Sequence, residues 1–386
     1  MILLSILLVV VMITLYGGIN YYLGARIWNR AVKYIPHFSE KLYWVLIILL
    51  SLAFIISYIL SKQSNFIVRI ISRIGGLWLA CIFYFTLLFL VTDFIGLILR
   101  KLSLLQSLFS NNTFQLISAV MIFVYIGSIL IYGSYMAYNT KITNYSISID
   151  KKLNNGNKKL RVAMISDIHV GQEVGRDRVK TMVDEVNRQN PDVVLIAGDI
   201  IDSKIQPFID QHIAEELLKL KSKYGVYGVL GNHEGFGDKV DDIVKEYSKA
   251  GIKVLRDEAV LVDGSFYVAG RNDVSLERSL NEKRKNIEDI LKDTDKTKPI
   301  FLMDHQPIDM DKVQESGTNL MFSGHTHRGQ LAPANLITSR MFELDYGYKR
   351  KGALNVIVSS GYGFWGPPIR IGSQAEIVIT DISFSS

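Results

Sequence analysis

Polar and apolar positions alternate differently in two parts of the chain. Residues 1–140 contain four long apolar stretches, roughly 2–23, 42–61, 76–99 and 115–138. Each approaches the ~20 residues needed to cross a bilayer as a helix. The first stretch has no basic residue before it and no small-residue cleavage site after it, so it reads as a retained helix rather than a signal peptide. Trp44, Trp78, Tyr21, Tyr22, Tyr135 and Tyr138 fall near span ends, as an interfacial aromatic belt requires. Residues 65–75, with Arg69 and Arg73 among Ile and Val, suit a short helix on the membrane surface.

From about residue 155 the apolar runs shorten and alternate with amphipathic segments. Strand-type runs are predicted at 160–166, 192–197, 225–230, 253–262, 265–270, 300–303, 320–323, 356–360 and 376–382. Helices are predicted at 176–189, 208–222, 239–250 and 281–292. In the first of these Val179, Met182, Val183 and Val186 follow the i, i+3, i+4, i+7 spacing of a one-sided helix. This order makes the second part an α/β domain.

Composition sharpens the division. The chain has 386 residues, 49% apolar and 21% charged, which excludes a disordered or collagen-like protein. Residues 1–140 hold nine Lys/Arg and two acids, a net +7; the remainder is net −1. The excess positive charge therefore belongs to the membrane part, and no nucleic-acid partner is expected for the second part. Cys81 is the single cysteine, which excludes a disulfide framework and any thiolate-rich metal site. Basic residues flanking the spans balance six against six, so the positive-inside rule alone does not orient the chain. The charges that follow the first helix favour an extracytoplasmic second domain. Asp93 is an acid within a span, either structural or in contact with lipid or substrate.

The candidate chemistry lies at the strand ends. Successive strand runs end in Asp167-Ile168-His169, Gly198-Asp199, Gly231-Asn232-His233-Glu234, Asp304-His305 and Gly324-His325-Thr326-His327. Ligand sites of open α/β sheets lie beyond the carboxyl ends of their strands. Five of the seven histidines occupy these positions. Asp, Asn and His without thiolate suit Mn, Fe or Zn better than Ca or Mg. A lone Asp-x-His is usually a surface turn, but that explanation fails for the whole set.

These blocks, with Asp202 three residues after Asp199, resemble the calcineurin-like metallophosphoesterases in order and spacing over nearly all of residues 160–382. The plan is similar to the subgroup with several N-terminal membrane helices, and so is the late segment 361–370. The resemblance implies a sandwich of two β-sheets flanked by helices, preceded by an all-α membrane domain of four transmembrane helices. The expected division is a membrane domain at 1–140, a linker at 141–158 and a phosphoesterase domain at 159–386.

The resemblance also implies two divalent metal ions. Asp167, His169, Asp199 and His327 would hold the first; Asp199, Asn232, His305 and His325 would hold the second, with Asp199 bridging. His233 would stabilise the transition state or protonate the leaving oxygen, and Asp202 would orient a histidine. Arg328 and Arg370 are expected at the substrate, although Arg328 suits a solvated role as well. Asp304 suits either a supporting contact or a plain strand end. Tyr362, Phe364 and Trp365 either pack locally or form a wall for an apolar substrate or a contact with the membrane surface. The expected partners are the bilayer and a phosphate ester, lipid-linked or not. A non-catalytic metal-binding scaffold, or a regulatory domain of a membrane protein, is the competing function.

Overall fold

A computed structural model describes residues 2–63, 65–99, 111–154, 156 and 158–385. Arg100 and Lys101, counted in the charge balance, lie outside the described residues. The chain separates into a helical unit, chiefly residues 1–134, and a second unit holding most of residues 135–386.

The helical unit contains α1 (Ile2–Arg30), α2 (Glu40–Ile59), α3 (Phe66–Leu99) and α4 (Asn112–Tyr138). All four are long and apolar enough to cross a membrane. A polar knot ties the first three together. Asn20 Oδ1 accepts from Ser51 Oγ and from Trp78 Nε1, each at 2.8 Å, and Tyr16 Oη donates to Ser51 O at 2.8 Å. Such bonds hold helices together where the hydrophobic effect between them is weak. One expectation changes here. Residues 65–75 are not a separate surface helix: α3 starts at Phe66 and runs unbroken for 34 residues. Trp78 therefore sits inside a long helix, buried against Asn20.

The second unit is built on two six-stranded sheets. The first has the order β1 (Lys141–Ile149), β12 (Glu376–Phe384), β2 (Lys159–Ile165), β3 (Val193–Ala197), β4 (Val226–Val229), β5 (Ile252–Val254). β2 to β5 run parallel; β12 is antiparallel to β2 and parallel to β1. The second has the order β10 (Gly347–Lys351), β11 (Leu354–Val358), β9 (Leu320–Ser323), β8 (Ile300–Asp304), β7 (Phe266–Arg271), β6 (Glu258–Val262). Its four middle strands are parallel and its two edge strands antiparallel. The segment expected as a linker thus begins with an edge strand, residues 141–149, in register with the last strand of the chain. Its alternation is half exposed, which hides it in the sequence.

The period-two alternation of the strands makes the core. Leu160, Val162 and Met164 of β2 pack with Phe301, Met303 and Phe322 of the opposite sheet. Ala163 and Ile165, on the other face, pack with Val179, Met182, Val183 and Val186 of the helix Arg176–Arg188. Each fully buried large apolar side chain contributes roughly 1.5–3 kcal/mol. The expected helix at 208–222 is two short helices, Gln206–Asp210 and Ile213–Leu217, broken at His212, whose φ is 54°. Of the helix expected at 281–292, four residues, Ile287–Ile290, are helical.

Candidate metal centre

The carboxyl ends of β2, β3 and β4 in one sheet and of β8 and β9 in the other converge. β2 leads into Asp167 and His169, β3 into Asp199 and Asp202, and β4 into Asn232, His233 and Glu234. β8 leads into His305, and β9 into His325 and His327. The backbone at these positions is unusual. Asp167, His169, Asp199, His325 and His327 have φ of 52, 51, 51, 70 and 47°. For residues other than glycine this region costs of order 1 kcal/mol or more each, and it persists where the surroundings impose it. Here they do. Asp167 N donates to Gly198 O at 3.1 Å, and His169 N donates to Asp199 O at 3.0 Å. His325 N donates to Asp167 Oδ1, and His233 N donates to Asp199 Oδ1, each at 2.9 Å.

The glycines of the motifs have a steric reason. A Cβ on Gly231 would lie 2.2 Å from Asp199 Oδ1, and one on Gly324 would lie 2.1 Å from Asp167 Oδ2. Neither carboxylate could hold its place beside a larger residue.

Three overlapping groups of donor atoms result: Asp167, His169 and His327; His169, Asp199 and His233; Asp199, His305 and His325. Asp199 belongs to two of them. His169 Nε2 lies 3.0 Å from His327 Nε2, which itself is 3.4 Å from Asp167 Oδ1. At that separation at least one imidazole presents a lone pair to the other. His305 Nε2 lies 3.1 Å from Asp199 Oδ2. Asn232 Oδ1 lies 2.8 Å from His325 Nδ1 and 3.2 Å from His305 Nε2. His305 Nδ1 sits 2.8 Å from Ala197 O, so that nitrogen keeps its proton and Nε2 is the atom that faces the site.

Burial and mutual charge set the protonation. Burial holds His169 and His327 well below the ordinary imidazole value, helped by His233 for the first and by Arg370 and His169 for the second. Burial would also lower His305, but the Asp199 and Asp167 carboxylates outweigh it and raise its pKa well above normal. Burial pushes Asp167 up to about 6 against the pull of His305. His305 overcomes burial at Asp199 and holds it well below the usual carboxylate range. The centre thus combines the neutral imidazoles of His169 and His327, the form that ligates metals, with carboxylates that attract positive charge and draw His305 toward its protonated form. Oxygen and nitrogen donors, buried and without thiolate, fit Mn, Fe or Zn.

The similarity to known proteins agrees with this chemistry. Residues 160–329 match the calcineurin-like phosphoesterase family. A metallophosphoesterase of Aquifex aeolicus is 31% identical over 65% of this chain and 95% of its own length. The chain belongs to the calcineurin-like metallophosphoesterases. A Helicobacter pylori metallophosphoesterase is 34% identical over 61% of this chain, and the match spans 62% of that relative's length. The "transmembrane protein with metallophosphoesterase domain" of Danio rerio is 27% identical over 91% of this chain and 84% of its own. That match extends into the apolar helices, and the present chain is a multi-pass membrane protein with a metallophosphoesterase domain.

The remaining candidate residues fall in varied places. The Asp202 carboxylate is 3.6 Å from His169 Nδ1, a buried nitrogen with no hydrogen-bond partner, and the Asp202 carbonyl meets His233 Nδ1. Arg370, expected at the substrate, is fully buried behind the centre. Its guanidinium reaches His327 Nδ1 at 3.0 Å and the carbonyls of Gly361 and Gly363. Arg328 is exposed, stacked over the Tyr346 ring at 4.7 Å. Asp304 is buried between Arg271 and Arg284, each 3.3 Å away, rather than against the histidines. Tyr362 and Phe364 are buried, with Tyr362 under the Arg178 guanidinium, while Trp365 is half exposed.

One residue carries more than its sequence suggests. Glu234 is completely buried and accepts from the backbone N–H groups of Gly231, Asp199, Ile200 and Ile201 and from Tyr247 Oη. Burial beside Asp199 pushes its pKa up, and these bonds pull it back. Its place beside His233 in the Gly231–Glu234 block was the only signal in the sequence.

Proposed function

We propose that this chain is a membrane-anchored, dinuclear metal-dependent hydrolase of a phosphodiester or diphosphate, with a lipid-linked phosphate as the preferred substrate class. The observation that carries this is the cluster of three overlapping donor groups, two of which contain Asp199. Asp167, His169, Asp199 and His327 would hold one ion, and Asp199, Asn232, His305 and His325 the other. Two divalent ions bound there would supply positive charge for the phosphoryl oxygens and acidify a water as nucleophile.

The chain's own residues position and protonate. Asp202 faces His169 Nδ1 and fixes that ring with Nε2 toward the centre. Arg370 packs against His327 from behind and braces the loop carbonyls of Gly361 and Gly363. His233 is the proton donor. Burial would lower its pKa, but Asp199 and Asp202 raise it above the ordinary value. With Nδ1 turned to the Asp202 carbonyl, the proton on Nε2 is the one available to a leaving oxygen. Four apolar helices are unnecessary for hydrolysing a freely soluble substrate, which favours a phosphate presented at the bilayer.

The test is hydrolysis of bis-p-nitrophenyl phosphate and p-nitrophenyl phosphate by the full-length protein in detergent, with Mn²⁺ and with chelator, beside Asp199→Asn. Metal-dependent turnover that vanishes in the variant supports the proposal. An unchanged rate and metal content in Asp199→Asn would refute the shared-ligand assignment.

A further inference from the structure

A second polar site lies within the helical unit, made by the last turns of α1 and α3 and the first turns of α4. Asp93, in α3, is paired with Arg30 at 2.6 Å and with Arg26, and Tyr22 Oη donates to it at 3.3 Å. Asp93, Arg26 and Arg30 border a cavity of about 780 Å³ that Lys33 also lines. The charges do not cancel. One carboxylate faces two guanidiniums, which leaves one positive charge, and Lys33 adds a second. Lys33 contacts only the Tyr34 ring and has no ion pair among the described residues. Arg26 Nε is buried without a hydrogen-bond partner. Uncompensated cations beside a hydrocarbon environment call for an anion with several acceptor oxygens.

The cavity walls say what carries that anion. Ile95, Leu99, Phe114 and Ile122 line the same space, on helices long and apolar enough to span a membrane. A free inorganic anion gains nothing from such walls. A headgroup phosphate with acyl chains against them gains both charge pairing and apolar burial. The volume lies within the range of small-molecule sites and admits a headgroup with the first part of its chains.

We propose that Arg26, Arg30 and Lys33 form a binding site for the phosphate of an anionic phospholipid, independent of the metal centre. Asp93 holds the two arginines in place, and the excess charge of two selects an anionic over a zwitterionic headgroup.

The experiment is native mass spectrometry of full-length protein with phosphatidylglycerol, phosphatidylcholine or inorganic phosphate at matched concentrations. Phosphatidylglycerol is retained in preference to phosphatidylcholine. Arg30→Gln with Lys33→Gln lowers its affinity about thirtyfold, and Lys41→Gln, a cation outside the cavity, leaves it unchanged. Should the double variant aggregate, Lys33→Gln alone lowers affinity about fivefold. Asp199→Asn retains the lipid as the native chain does, so failure of the metal assignment and failure of this site are separable. Equal retention of both lipids, undiminished binding in the lysine variant, or displacement by inorganic phosphate at the same concentration would overturn the proposal.

Discussion

Glu234 has no ligand atom in the donor groups, yet it holds the segment that carries Asp199. Oε1 accepts from Ile200 N at 2.8 Å, Ile201 N at 3.3 Å and Tyr247 Oη at 2.7 Å; Oε2 accepts from Gly231 N at 2.7 Å and Asp199 N at 3.2 Å. Glu234→Gln keeps the shape and replaces one oxygen by an NH₂ group that cannot accept. Whichever end carries it, at least two buried N–H donors lose their acceptor. At roughly 1–3 kcal/mol for each, the variant loses about 2–6 kcal/mol. For a domain of this size that lowers the melting temperature by roughly 5–20 °C. The assay is thermal unfolding of metal-stripped protein in detergent, followed by intrinsic fluorescence, with Mn²⁺ uptake measured on the same samples. The strained backbone at Asp199 relaxes when its support goes, so Mn²⁺ affinity falls together with stability. A melting temperature within about 2 °C of the native chain, with unchanged Mn²⁺ uptake, would refute the reasoning.

The other predictions concern the centre itself. His233→Ala keeps both ions by metal analysis but loses about 10²–10⁴ in rate, as removal of a proton donor does; an undiminished rate would remove His233 from the chemistry. Arg370→Lys loses the bonds to the carbonyls of Gly361 and Gly363 that brace the loop behind the centre and weakens metal affinity about 10–100-fold, with the rate restored by saturating Mn²⁺. A raised KM at saturating metal would instead return Arg370 to the substrate. Asp199→Asn, at the residue common to two of the three donor groups, loses both ions and nearly all turnover.

Much of the site was legible because its residues sit at strand ends and short spacings fix their direction. Asp167, His169, Asp199, Asn232, His305, His325 and His327 converge as the blocks suggested. The support was harder to see. Arg370 and Glu234 act through contacts with residues far away in the sequence or with backbone groups, and neither type of partner leaves a pattern. The positive φ of five site residues is equally invisible, since Asp and His adopt it only under tertiary constraint. In the fold, long periodic elements such as the helix Arg176–Arg188 were plain. The edge strand Lys141–Ile149 was not, because half its side chains face solvent and its partner lies at the other end of the chain. α3 begins about ten residues before the apolar run, since Arg69 and Arg73 break the hydropathy without breaking the helix.

Metal stoichiometry coupled to rate tests the central claim most directly. Chelator-stripped full-length protein is titrated with Mn²⁺, and bound ions per chain and hydrolysis of bis-p-nitrophenyl phosphate are measured in each sample. Two proposed ligand sets with Asp199 in common predict two ions per chain, with turnover appearing as the second is bound and absent after chelation. Full turnover with one ion or none per chain would contradict it.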